Sequence, residues 1–199
     1  MKFFKENSYD IVKLIINQIG IAIFSLVLYT AIGFLEDAKL SLSIKIALSV
    51  FSTLFYFVLL YTAAWEFGAK DKIRVDSGKM ASDPLKGAKL GLLANLPNVI
   101  LAALSVISLS IYMAARAEWV YTLFGIVNFI MRFVLSTYIG MLQGIFSGLN
   151  SVETQNLYHL GQSFGFLLFP LLAAGVVAFG YYMGLINKRI FSSGAKKSN

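Results

Sequence analysis

The sequence contains no cysteine. Structural disulfides, iron–sulfur clusters, CxxC redox chemistry and thiolate zinc sites are therefore excluded, and usage of this residue says nothing about the compartment. Histidine is almost as scarce: His159 stands alone, which removes metal sites built on two or more imidazoles. Charge is low as well, with Asp, Glu, Lys and Arg at 14% of residues against about 25% in ordinary globular domains. The ten acidic residues lie in polar connections or at the ends of apolar runs. Aspartyl intramembrane proteolysis needs two membrane aspartates, CDP-alcohol-type phospholipid synthesis needs clustered aspartates, and proton coupling needs a carboxylate in the apolar layer; none has its residues here. A rhomboid-type Ser–His dyad fails too, because Ile145 occupies the first glycine position of G-x-S-G before Ser147-Gly148. The chain reads as non-enzymatic, with no catalytic residue, no metal site and no cofactor.

What replaces charge is apolar surface: 58% of the residues are hydrophobic and 15% aromatic, and the mean hydropathy is +0.74. Lipid is the solvent such a composition fits. With about 20 residues per crossing helix, 199 residues read as a single all-α domain, a polytopic transmembrane helix bundle of five hydrophobic segments near 11–35, 42–65, 88–113, 119–148 and 162–187. A secretory signal peptide is rejected for the first of these, since signal apolar cores run about 7–15 residues and this run is longer. Ser41, Lys45, Ser49 and Ser52 share one face of the second segment, which suits packing against neighbouring helices or a wet groove.

The net charge of +7 is spread between apolar runs rather than gathered on a soluble face, so it argues for membrane orientation and against nucleic acid. Six bases, Lys70, Lys72, Arg74, Lys79, Lys86 and Lys89, fall in a polar stretch at about 66–89, expected to be an irregular cytoplasmic loop. Ser77-Gly78-Lys79 lacks the glycine spacing of a phosphate-binding loop. The N-terminus is assigned to the same side, in what reads as a bacterial plasma membrane. A second basic stretch is the tail, 188–199, whereas 151–160 carries no Lys or Arg and reads as external. Trp65, Tyr61, Tyr181 and Tyr182 are expected at headgroup level.

The fourth segment organises the rest. It carries Arg132 near its middle and small residues at Ser136, Gly140, Gly144 and Gly148, a spacing that lets helix backbones approach; the last segment repeats the pattern at Gly161, Gly165, Gly180 and Gly184. As one helix, 119–148 would measure about 45 Å at about 1.5 Å per residue, against about 30 Å of hydrocarbon. If the 66–89 loop and the tail share a side, an odd number of crossings between them is forbidden. Either this segment breaks near Arg132, giving six crossings in all, or the tail is external, or a proline-interrupted segment fails to cross. Against a break, no Gly or Pro occurs between Val127 and Tyr138. Asn128, one turn before Arg132, is placed to share its hydrogen bonds, and Glu66 is the nearest acidic partner by depth.

Asn95 and Asn98 flank Pro97 in the third segment, where proline frees a carbonyl that other groups must satisfy. Together, Asn95, Asn98, Asn128 and Arg132 read as a polar groove within the bundle. The functional expectation is a small transport-related or accessory membrane subunit in contact with the lipid bilayer. The alternative is an assembly or immunity type of protein that binds another membrane protein, or a second copy of itself, through its glycine-rich faces.

Overall fold

The structure is a computed structural model and describes residues 2–32, 38–149, 151 and 153–189. It is an all-α bundle: α1 (Lys2–Glu6), α2 (Ser8–Ile32), α3 (Ala38–Asp76), α4 (Lys86–Ala115), α5 (Glu118–Val134), α6 (Ile139–Ile145) and α7 (Gln155–Leu185), with 3-10 turns at Ser136–Tyr138 and Ser147–Leu149. Helices α2, α3, α4 and α7 are each long and apolar enough to cross a membrane, and α5 with the segment after it counts as a fifth when taken as one bent unit. Glu36 and Asp37, in the first connection, and most of the basic tail lie outside the described residues.

Small polar side chains share the interior with an apolar core that includes Leu60, Phe67, Met131 and Phe166, and large apolar side chains also cover the outside. Ser25, Ser49, Ser52, Ser105, Ser136, Thr137, Gln162 and Ser163 are buried, while Phe51, Leu54, Ile126, Phe129, Phe133 and Leu168 point outward. Where the surroundings offer no hydrogen bonds, backbone groups must be satisfied within helices and the apolar side chains need not hide. Side chains with hydroxyls then collect between helices.

The helix contacts fix directions. A Cβ on Gly87 would strike Tyr181, and one on Gly91 would stand 2.8 Å from Ala174 Cα; Ser105 Oγ lies 2.8 Å from Ser163 Oγ. Helices α4 and α7 are thus antiparallel. On the other flank of α7, Gly180 meets Tyr61 and Ala64, and Gly184 meets Trp65 and Ala69, so α3 and α7 run parallel. The turn between α3 and α4 and the end of α7 consequently share one end of the bundle, where Trp65 Nε1 donates to the Lys188 carbonyl at 2.7 Å. Helix α2 starts at this basic end too, since Lys13 pairs with Glu66 at 2.8 Å.

The 66–89 stretch differs from the irregular loop expected. Helix α3 continues through it to Asp76 and α4 begins at Lys86, which leaves only a short turn between them. With 39 residues, α3 measures about 58 Å at about 1.5 Å per residue, well beyond an apolar layer of about 30 Å. Its extension is held by a buried ionic cluster: Asp71 accepts from Lys86 Nζ at 2.6 Å and from Tyr181 Oη at 2.9 Å, with Arg74 at 3.3 Å. Tyr181 is therefore an interior residue, fully covered, and only Tyr182 is exposed as expected of a headgroup-level ring.

Candidate functional site around Arg132

The fourth apolar segment breaks at Leu135, three residues past Arg132, and its two parts diverge by 84°. Helix α5 enters from the end opposite the basic one, with Phe124 against His159 near the start of α7 (5.9 Å between ring centroids). At Tyr138 the chain has reached the level of Phe169, whose ring it stacks on at 4.3 Å. It then climbs back: Leu142 abuts Gly165 and Phe146 abuts Gly161. The segment enters and leaves at the same end. With α6 only 7 residues long, the break adds no sixth full-length helix.

Neither glycine nor proline makes this break. Hydrogen bonds to two other helices hold it: Ser49 Oγ on α3 donates to the Thr137 carbonyl at 2.5 Å, Ser25 Oγ on α2 donates to Thr137 Oγ1 at 3.2 Å, and Ser136 Oγ, in the break itself, donates to the Ala22 carbonyl of α2 at 2.7 Å. Leu135, Ser136, Thr137 and Tyr138 are all buried. Irregular backbone at membrane depth is tolerated where protein covers it, and here the covering groups also bond to it.

One turn before the break, Arg132 bridges α5 and α7. Its Nε donates to Asn128 Oδ1 at 2.5 Å, and a terminal nitrogen donates to Gln162 Oε1. Glu66 is engaged elsewhere, with Lys13 at the basic end. Around Arg132, Asn128 Nδ2, Gln162 Nε2 and His159 Nδ1 are buried without a hydrogen-bond partner among the described residues. Gln162 was not read from the sequence; a carboxamide inside an apolar run was the available signal.

The other half of the expected groove stands apart. Asn95 and Asn98 are buried on α4, where Asn95 Nδ2 donates to the Gly91 carbonyl at 3.0 Å and Asn98 Nδ2 reaches Asn95 Oδ1 at 3.5 Å. The carbonyl that Pro97 leaves free is that of Leu93, four residues back, so neither asparagine satisfies it. These two are not hydrogen-bonded to Asn128 or Arg132 among the described residues. In the register that pairs Gly91 with Ala174 and Ser105 with Ser163, they lie closer to the basic end than Gln162 does.

The small residues divide in the same plain way. A Cβ at Gly140 would strike the Tyr29 hydroxyl and the Lys45 carbonyl, one at Gly144 would lie 2.6 Å from Ile46 Cδ1, and one at Gly184 would run into the Trp65 carbonyl, whereas nothing stands within 4 Å of Gly148. Gly68 and Gly87 make approaches as close as these, Gly91 is only slightly more open at 2.8 Å, and all three lie outside the strips the spacing marks. No group of three or more metal-ligating side chains occurs among the described residues. No family model, curated protein or solved structure matches the chain.

Proposed function

We propose that the chain is a non-enzymatic, multi-pass integral membrane protein of a transport-related or accessory kind, in which α5 and α6 form a re-entrant element and Asn128, Arg132 and Gln162 line a polar groove open to the side where α7 begins. The observation that carries this reading is the break at Leu135. A helix interrupted inside the bundle, held by hydroxyls and set one turn from an arginine without a carboxylate, resembles the discontinuous helices that build solute sites in transporters. Asn95 and Asn98, which stand apart on α4, are left out of the groove in this reading. Lys70, Lys72, Arg74, Lys86, Lys89, Lys188 and Arg189 gather at one end, which the positive-inside rule assigns to the cytoplasm in this reading.

The absence of cysteine makes the test direct, since each introduced thiol is the only one. Ser77→Cys and Asn187→Cys react with a membrane-impermeant thiol reagent from one face, Gln155→Cys from the other, and Asn128→Cys from the same face as Gln155→Cys. An Asn128→Cys variant that stays unmodified under conditions where Gln155→Cys reacts sinks the groove. Labelling of positions 77 and 187 from opposite faces sinks the topology.

The second reading, binding of another membrane protein, is favoured by one observation: an apolar groove of about 500 Å³ between α6 and α7, lined by residues that include Phe146, Phe164 and Leu168. Against it, the glycine faces it would use already meet helices of the same chain, except at Gly148. A stoichiometric membrane partner retained through detergent purification, and lost in Phe164→Ser, decides for it.

A further inference from the structure

The groups around Arg132 are not a balanced polar cluster. Five ion pairs occur among the described residues, Lys13–Glu66, Lys72–Asp76, Arg74–Asp71, Lys86–Asp71 and Lys89–Asp83, and every one involves the basic end. Arg132 has none among these residues. Its two oxygen partners are neutral carboxamides, which accept its N–H groups and leave its charge uncompensated.

The orientation of those carboxamides follows from chemistry. Guanidinium nitrogen only donates, so an amide beside it must turn its oxygen inward. The –NH2 of each is then fixed on the same carbon, next to the guanidinium and facing elsewhere. For Asn128, 7% exposed, and Gln162, 1% exposed, that nitrogen finds no partner. The remaining guanidinium nitrogen likewise makes no hydrogen bond to the described residues. His159 precedes Gln162 by three positions on α7, the same face, and its Nδ1 is also buried and unpartnered; as the Nδ1–H tautomer it adds a donor. The result is a partly buried positive charge whose neighbours offer unpartnered N–H donors, with both amide oxygens spent on Arg132. A cation is repelled by such a cluster, and a neutral solute leaves the charge unmet. An acceptor with negative charge answers all of it.

From this we infer that the Arg132–Asn128–Gln162 cluster binds an oxyanion of the carboxylate or phosphate class, entering from the α7-start side. The planar fork of arginine matches two oxygens of such a group better than a spherical ion. The inference rests on the groove reading above and names its ligand class. Two sources share the chemistry: a small soluble anion, and the phosphate of an anionic lipid headgroup.

The test is thermal unfolding of the full chain purified in neutral detergent with a low-anion buffer. Inorganic phosphate and acetate are titrated in one arm, and phosphatidylglycerol against phosphatidylcholine in the other, with chloride as a spherical comparison. A saturable rise in Tm is expected with phosphate, acetate or phosphatidylglycerol, and the arm that saturates lowest assigns the source. Arg132→Lys and Gln162→Leu each raise the half-saturation concentration about tenfold, the loss of one hydrogen bond to a charged group. Gln162→Glu supplies the anion from within: it raises the basal Tm and abolishes the response. No saturable response in the unmodified protein, a response to chloride alone, or an equal response in Gln162→Glu overturns the inference. Reactivity at position 128 is read separately, so a reachable groove that ignores oxyanions refutes the ligand class and leaves the groove standing.

Discussion

Ser49 and Thr137 are separated by 88 positions in sequence and joined by a 2.5 Å hydrogen bond from hydroxyl to carbonyl. That bond ties the first third of α3 to the broken backbone between α5 and α6. Hydrogen bonds between membrane helices average about 0.6 kcal/mol; this one touches backbone that has left its own helical pairing, and Ser49→Ala is expected to cost about 1–2 kcal/mol. Ser110→Ala, at an exposed site of α4, changes stability by less than about 0.5 kcal/mol. Chaotrope unfolding of both in the same detergent measures the difference.

The glycines offer a comparison within one motif. Gly184→Ala drives a methyl group into the Trp65 carbonyl and to 2.9 Å from Ala69 N, backbone atoms that cannot swing aside, and loses about 1–3 kcal/mol. Gly148→Ala meets nothing within 4 Å and stays within about 0.5 kcal/mol. Melting temperatures of the two variants decide whether spacing or contact governs.

At the basic end, Asp71→Leu strands the Lys86 ammonium in a buried setting and costs about 3–5 kcal/mol. The Asp71→Leu/Lys86→Met double variant removes both charges, and its loss falls short of the sum of the single losses by about 1–3 kcal/mol. A double-mutant cycle of unfolding free energies gives that coupling directly.

Asp83, in the α3–α4 turn, is held below the ordinary aspartate range, first by the hydrogen bond from Lys89, with a further contribution from the backbone N–H of Leu85. Because the folded carboxyl is the stronger acid, its contribution to stability is present above the unfolded value of about 3.9 and is lost as pH falls through the lowered folded value. An NMR titration of the Asp83 side-chain carbon has its midpoint below about 3.9 and moves upward in Lys89→Met. An unchanged midpoint in that variant refutes the assignment to Lys89.

The parts of this fold that length and hydropathy determine were legible: each apolar segment of the sequence corresponds to a long helix or to the bent pair. The break was not legible, because its cause lies on other helices. Nothing local to Leu135 distinguishes it from its neighbours, and Ser25 and Ser49 act on it from more than 80 residues away. The extension of α3 was hidden for the same reason, since the partners of Asp71 include Lys86 and Tyr181, and tertiary contacts overrule a polar, glycine-containing stretch. Arg132 with Asn128 could be read because both stand on one helix face four residues apart. Gln162 could not be paired with them by any local rule.

Helix α7 lies between α3 and α4, so its place in the chain has a consequence for biogenesis. Until residues 155–185 have been synthesised, the glycine faces at Gly68, Gly87 and Gly91 have no helix to cover them, and Asp71 and Lys86 wait for the Tyr181 hydroxyl. Before that point the space between α3 and α4 that α7 fills has no occupant from this part of the chain. These glycine faces are covered only once α7 has emerged, and ribosome-arrested chains ending before α7 should engage insertion chaperones longer than chains ending after it.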